Sequence, residues 1–237
     1  MNSRLKFNQL STALKQHCLL CASHDGADIG ICAPCLQSLP WHTQPHCPQC
    51  GLSTPGVNSL CGRCLSEPPA FDATHSLFSY DYPVDTMLQH YKYQHRLHLA
   101  HSFAQLLLAK IRQQAPKHID LIIPMPMHAA RLKQRGFNQA LEISRLLSSE
   151  LQINLDSNIC QRHKLTPPQA SLPLKQRMSN IRGVFSCTHN ISGLRIAIVD
   201  DVMTTGASLN ELAKTLKKSG AAHVECWTIA RTLAHHH

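Results

Sequence analysis

RIAIVDDVMTTGAS, residues Arg195 to Ser208, is the stretch whose reading decides the fold. Ile196, Ala197, Ile198 and Val199 form a short unbroken apolar run, as expected of a strand in a parallel sheet covered on both faces. Polarity switches at Asp200 and Asp201. That places both acids at the carboxyl end of the strand, where open α/β sheets hold their ligands, with Val202 to Ser208 as the turn that follows. Leu209, Leu212, Ala213 and Leu216 then recur at helical spacing, and Gly220 is a stop signal. The stretch is predicted to be strand, loop, helix.

The residue types of the loop define its chemistry. Thr204, Thr205 and Ser208 supply hydroxyls, Gly206 permits close backbone approach, and the opening helix presents unpaired N–H groups at a positive dipole end, which together make a phosphate cradle. Asp200 and Asp201 would repel a bare phosphate, so they suit neighbouring sugar hydroxyls or a cation. The implied ligand is a ribose 5-phosphate group. For a generic Asp-Asp or Thr-Thr-Gly, a solvated strand end with a helix cap would be the preferred reading. The whole pattern is more restrictive: apolar strand, two acids, two apolar residues, Thr-Thr-Gly and a small residue. It resembles the phosphoribosyl-pyrophosphate (PRPP) motif of the type I phosphoribosyltransferases. In that motif the acids bind the ribose 2- and 3-hydroxyls and the Thr-Thr-Gly loop binds the 5-phosphate.

The chain has 237 residues, enough for one or two domains with a buried core, and its 43% hydrophobic and 5% aromatic content is that of a globular protein. Met1 to Leu20 alternates polar and apolar residues, which fits neither a signal peptide nor a membrane span. The expectation is a cytoplasmic protein without membrane insertion. The formal net charge is +9, and residues 71–237 hold 19 Lys/Arg against 11 Asp/Glu. A basic excess there suits a polyphosphate ligand or a nucleic acid.

Eight of the eleven cysteines form four CxxC pairs: Cys18/Cys21, Cys32/Cys35, Cys47/Cys50 and Cys61/Cys64. Their regular spacing is an internal repeat, and two tetrahedral Zn²⁺ sites of four thiolates each use every ligand. Sequential pairing, with the first four cysteines on one zinc and the last four on the other, closes smaller loops than a cross-braced arrangement and is preferred. Zinc at both sites would lower the net charge to about +5. Disulfide or redox chemistry is the alternative, disfavoured in a chain without an export signal. With only Arg4, Lys6, Lys15 and Arg63 in or before it, the zinc region reads as a brace or protein contact rather than a DNA reader.

Asn2 to Lys15 is predicted to be a short capping helix, and Ser66-Glu67-Pro68-Pro69 a linker that divides the chain into a double zinc ribbon (1–66) and a second domain (67–237). A strand over Phe71 to Tyr80 is followed by helices near 84–93 and 98–114. Ile119 to Ile123 is a buried strand ending at Met125, Pro126 and Met127, with Arg131, Lys133 and Arg135 beyond. Such cations suit a pyrophosphate, although a solvated basic turn fits that segment alone equally well. Asn138 to Leu147 reads as a helix. Gln161 to Arg177 carries Arg162, Lys164, Lys175 and Arg177 among three prolines, the composition of a functional lid. Val184-Phe185 begins the approach to the Arg195 strand, and Val224 to Ile229 is a last strand. Cys160, Cys187 and Cys226 lack CxxC partners and read as buried thiols.

The order of these features is itself specific. Four CxxC pairs, then Tyr91-Lys92-Tyr93, PMPMHAARLKQRGFNQA, RHKLTPPQ, RMSNIRGVF and the Asp-Asp loop resemble the ComF family of phosphoribosyltransferase-like competence proteins from about Cys18 to Arg231. The resemblance implies a type I phosphoribosyltransferase fold, a parallel sheet flanked by helices, behind a double zinc ribbon. It implies that Asp200 and Asp201 take the ribose hydroxyls, that Val202, Met203, Thr204, Thr205, Gly206, Ala207 and Ser208 wrap the 5-phosphate, and that Met125 to Arg135 hold the pyrophosphate with Mg²⁺. Arg162 to Arg177 would be the mobile catalytic loop. The implied role is DNA uptake during natural transformation, handling single-stranded DNA on the cytoplasmic side alongside other DNA-uptake proteins. The alternative is an active phosphoribosyltransferase that salvages a nucleobase or another small acceptor. Nothing in the sequence forms a recognisable base-specific pocket, and only Tyr91, Tyr93 and a few other aromatics are available for stacking on DNA.

Overall fold

The computed structural model describes residues 16–94, 96–114, 118–165 and 181–233. Its elements are α1 (Ala33–Gln37), α2 (Gly62–Ser66), β1 (Ala73–Ser79), α3 (Val84–Tyr93), α4 (His98–Gln114), β2 (Leu121–Pro124), α5 (Ala129–Arg135) and α6 (Gln139–Leu151). There follow β3 (Asn154–Leu155), β4 (Cys160–Arg162), β5 (Phe185–Cys187), β6 (Arg195–Met203), α7 (Ala207–Lys218) and β7 (His223–Arg231). The predicted Asn2 to Lys15 helix, the three lid prolines, Lys175 and Arg177 lie outside the described residues.

Five strands form a parallel sheet in the order β1-β7-β6-β2-β3. The central strands are buried on both faces, which is why Ile196 to Val199 is uniformly apolar and why Val224 to Ala230 admits only Glu225 and Thr228 as polar side chains. Each of these is hydrogen-bonded, Glu225 to His223 and Trp227 and Thr228 to Ser76. Amphipathic helices cover the sheet: α4 turns Phe103, Leu107 and Ile111 inward, and α7 turns Leu209, Leu212 and Leu216 inward. This is the expected parallel sheet flanked by helices.

Three local expectations need correction. The central strand does not end at the acids. The far end of β7 keeps pairing with it, Asp200 opposite Thr228 and Met203 opposite Arg231, so the ladder carries β6 on to Met203 and only then turns. Phe185 does not lead into the Arg195 strand either; β4 and β5 form a separate antiparallel ribbon that brackets the predicted lid segment. The basic run after β2 is helix α5 instead of an open turn, capped by the His128 side chain at its start and by Gly136 in the left-handed conformation (φ 80°) at its end.

The chain divides into compact units at Met1–Leu39 and Pro40–His237. The Ser66 to Pro69 segment thus lies inside the second unit, together with the second cysteine set. Residues 40–66 are held to the sheet by specific contacts. Trp41 bridges to Phe78 with ring centroids 4.8 Å apart, and buried His42 meets the Gly51 carbonyl at 2.9 Å through Nε2. Lys110 donates to the carbonyls of His42 (3.1 Å) and Ser76 (2.5 Å). Cys47, Cys50 and Cys64 join the same hydrophobic cluster as Phe71, Met203 and Leu209.

Candidate functional site

Each cysteine set is gathered as sequential pairing requires. Cys18, Cys21, Cys32 and Cys35 form one group and Cys47, Cys50, Cys61 and Cys64 the other, with the ligand sulfurs of each group within 4.8 Å of one another. The Sγ atoms of Cys21 and Cys32 are 3.6 Å apart, and those of Cys50 and Cys61 are 3.5 Å apart. A tetrahedral ZnS₄ unit with bonds of about 2.3 Å has sulfur–sulfur edges of about 3.8 Å, so both groups fit zinc. The repeat extends to the backbone: Cys32 and Cys61 each start a five-residue helix, at φ/ψ of −71°/157° and −74°/157°.

The second site is a cavity of about 470 Å³ at the carboxyl ends of β2 and β6. Asp200 and Asp201 open onto it from β6, with Val202, Met203, Thr204, Gly206, Ala207 and Ser208 continuing its wall. Gly206 caps α7 in the left-handed conformation (φ 76°), a geometry that a side chain would strain. Twelve-residue α7 directs its positive end toward the cavity. Thr205 differs from its neighbours: it lines the adjoining cavity, and its hydroxyl accepts the Ala207 N–H at 3.3 Å.

The neighbouring part of the wall comes from β2 and the segment after it. Met125, Pro126, Met127, Arg131 and Arg135 all line the cavity, whereas Lys133 is exposed elsewhere. Asn138 explains how this wall keeps its shape: its Oδ1 caps α6 through the Ala140 and Leu141 N–H groups (3.0 and 3.4 Å), while its Nδ2 donates to the Met125 carbonyl at 3.1 Å. Arg135 donates to Gln139 Oε1 at 2.9 Å and lies over the Tyr93 ring, 5.2 Å from its centroid. Arg162 reaches the same cavity from β4, alone among the described residues of the predicted lid; Lys164 is exposed and does not line it, and Arg177 lies outside the described residues.

Sequence reasoning assigned no role to Lys92. Its ammonium lies 2.7 Å from Asp201 Oδ2, and it lines the same cavity. Burial by itself pulls Lys92 toward neutrality, but Asp201, through charge and hydrogen bond, and Asp200 hold it above the usual lysine range. Asp200 moves the other way for a carboxylate: removal from water, then the adjacent Asp201 charge, pushes it up to about 8. The cations crowd one another. Burial and then Arg135 lower Arg131, and burial and then Arg131 lower Arg162, so an anion placed among them would be favoured. Of the few aromatics available for stacking, Tyr91 is wholly buried and donates to the Gln139 carbonyl at 3.0 Å, while Tyr93 is 69% exposed at the cavity edge.

The phosphoribosyl transferase domain family matches residues 104–236, and the double zinc ribbon domain family matches residues 10–65. Competence protein F of Haemophilus influenzae is 33% identical over 209 residues, covering 85% of this chain and 90% of that protein. The chain belongs to the ComF family. Another similar protein is the DNA utilization protein YhgH of Salmonella typhimurium, 33% identical over 86% of this chain and 91% of its own length. Competence protein ComFC of Bacillus subtilis is 24% identical over 91% of this chain and 95% of its own. Among solved structures, a purine phosphoribosyltransferase from Pyrococcus horikoshii is 20% identical with a TM-score of 0.34, covering 57% of this chain and 86% of that one. Among the described residues, no helix is long and apolar enough to cross a membrane.

Proposed function

We propose that the β6 cavity binds PRPP with Mg²⁺ and that this ComF-family protein serves DNA uptake in natural transformation, handling single-stranded DNA on the cytoplasmic side. The observation that carries the reading is the gathering of acids, cations and a helix start around one cavity. Asp200 and Asp201, with the glycine-capped start of α7, share its lining with Arg131, Arg135 and Arg162. A ribose carrying a 5-phosphate and a pyrophosphate presents hydroxyls to the acids and anions to the helix start and the arginines. Mg²⁺, when bound, supplies charge neutralisation to the pyrophosphate, and Asp200 and Asp201 are the acids placed to hold it or the ribose hydroxyls. Lys92 keeps Asp201 in place until the ligand arrives.

For the DNA, the exposed Tyr93 ring with Arg135 over it supports a place for base stacking at the cavity edge. The names of the H. influenzae and S. typhimurium relatives point the same way. Binding of this kind is sequence-tolerant and falls steeply with salt, because it rests on cations meeting phosphates.

Calorimetry with PRPP and Mg²⁺ tests the reading. Asp200→Asn combined with Asp201→Asn is expected to weaken binding by roughly two to four powers of ten, since each charged hydrogen bond is worth about 1.5–3 kcal/mol. Undetectable binding by the unmodified protein, or an unchanged affinity in the double variant, refutes it. Binding also requires Asp200 to lose its proton, so affinity is expected to rise as pH climbs toward about 8 and then to level. Pyrophosphate release from PRPP, with and without nucleobases or DNA, decides whether the cavity transfers the ribose or only holds it.

A further inference from the structure

The loop that faces the proposed ligand is held from behind by the second zinc knuckle. Arg231, at the end of β7, is only 2% exposed. Its Nε donates to the Cys50 carbonyl at 2.8 Å, inside the knuckle. Its Nη1 donates to the carbonyls of Met203 (3.0 Å), Thr204 and Thr232 (2.8 Å). One planar guanidinium therefore joins a zinc ligand's own peptide unit to the two residues that begin the loop. Arg63, between the ligands Cys61 and Cys64, reaches the next residue, donating to the Thr205 carbonyl at 3.3 Å.

What lies between knuckle and loop makes these bonds matter. Met203 packs with Cys50, Cys64 and Phe71 in one apolar cluster, while Thr205 and Gly206 border a cavity of about 650 Å³ that Cys50 and Arg63 also line. Beside that space packing alone does not fix the loop beyond Met203, and the fixed donors add to it. The knuckle side is rigid in turn only if its sulfurs are held, because so short a segment has little core of its own. Gly51, at φ 71°, lies beside Arg231 and Thr74: a β-carbon at Gly51 would meet both side chains at ordinary van der Waals distance, 3.5–3.6 Å.

We propose that the Cys47, Cys50, Cys61 and Cys64 centre is a positioning element for the phosphate loop, acting through Arg231 and Arg63, and that the Cys18, Cys21, Cys32 and Cys35 centre has no such role. Metal at the second centre and ligand at the loop are then coupled, and the coupling is reciprocal. The functional side of this inference rests on the PRPP reading above; the structural side does not.

The test uses the full chain with two readouts. Amide hydrogen exchange across Met203 to Ala207 reports the loop without any ligand, and calorimetry reports PRPP with Mg²⁺. Arg231→Lys keeps a charge but replaces the planar fork with a single ammonium, and is expected to speed loop exchange about tenfold and weaken PRPP about tenfold, with two zinc ions retained. Should that variant lose its cooperative unfolding transition, Arg63→Ala, at an exposed position, decides the matter through Thr205 alone, with an expected change of about threefold in the same direction. In the unmodified protein, PRPP with excess Mg²⁺ is expected to slow release of one zinc ion to a zinc-selective chelator and leave the other unchanged. Loop exchange unaltered in both variants overturns the proposal, as does equal protection of both zinc ions. If the unmodified protein fails to bind PRPP, the cavity reading falls, while the exchange result still decides whether the knuckle holds the loop.

Discussion

The two cysteine sets are near copies in sequence and in backbone, yet they sit in different company. In the first, Cys21 is exposed and Cys35 half-buried, and the set lies in the Met1–Leu39 unit. In the second, Cys47, Cys50 and Cys64 are buried in the cluster that also holds Phe71 and Met203, beneath a sheet that carries the candidate site. Identical ligand chemistry therefore serves two ends. One centre folds a small unit, and the other is built into the core of a large one. A repeat fixes what a metal is held by, but not what the metal holds.

The largest expected effect separates the two directly. Cys64→Ser should leave one zinc ion and remove the main cooperative transition of residues 40–237, because a structural zinc contributes on the order of 10 kcal/mol and the vacated knuckle would expose part of the shared core. Cys35→Ser should also leave one zinc ion, with that transition nearly unchanged. Differential scanning calorimetry with metal analysis reads both. Equal loss in the two variants would erase the distinction between the knuckles.

Much of this was legible in the chain. Helices α3 and α4 lie at the bounds their apolar spacing predicts, because local periodicity and packing agree there. The cysteine pairing followed from loop length, and the strand-to-helix passage through Asp200 and Gly206 lies where the apolar run and the helical spacing put it, with the strand running on to Met203. What was hidden is long-range. Lys92 is an ordinary helix lysine in sequence, and only the α3 position beside β6 makes it Asp201's partner. Arg231 reads as the polar end of a strand, and its role depends on the distant carbonyls of Cys50, Met203 and Thr204, two segments far from it in sequence. Pro68-Pro69 reads as a linker, but the contacts of Trp41, His42 and Lys110 that bind residues 40–66 to the sheet carry no local signal. Helix α5 was missed because its exposed basic face lacks an apolar stripe.

A middle-sized effect follows from the acids that share the second knuckle's sheet. Asp200 keeps a proton in the folded state up to about pH 8, whereas its ordinary value is 3.8. Between those values the folded chain holds a proton that the unfolded chain has released, so stability falls as pH rises through the window. Asn mimics the neutral form without ionising. Asp200→Asn is thus expected to melt higher than the unmodified protein at pH 8, by about 2–4 °C for each kcal/mol relieved, while losing PRPP affinity. A variant that melts lower there would show that the Asp200 charge is supported rather than merely tolerated.

The smallest effect concerns the histidine that ties the second knuckle down. Burial first, then the neighbouring charges of His46, Lys110 and Arg231, lowers His42 from 6.5 to about 4, against a raising contribution from the Gly51 carbonyl. The folded state therefore keeps His42 neutral over a range in which the unfolded chain takes up a proton. Stability contributed by this residue is complete above pH 6.5 and is lost as pH falls toward 4, at up to about 1.4 kcal/mol per unit. Thiolate protonation also weakens both zinc centres in acid, so the slope of the unmodified protein alone does not isolate His42. His42→Gln does, because Gln keeps a donor for the Gly51 carbonyl, leaves all eight ligands in place and does not titrate. Denaturant melts of the two proteins at pH 6.5 and pH 5 should converge in acid, the variant losing less stability over the interval. Parallel losses would mean that the knuckle's acid sensitivity belongs to its sulfurs alone.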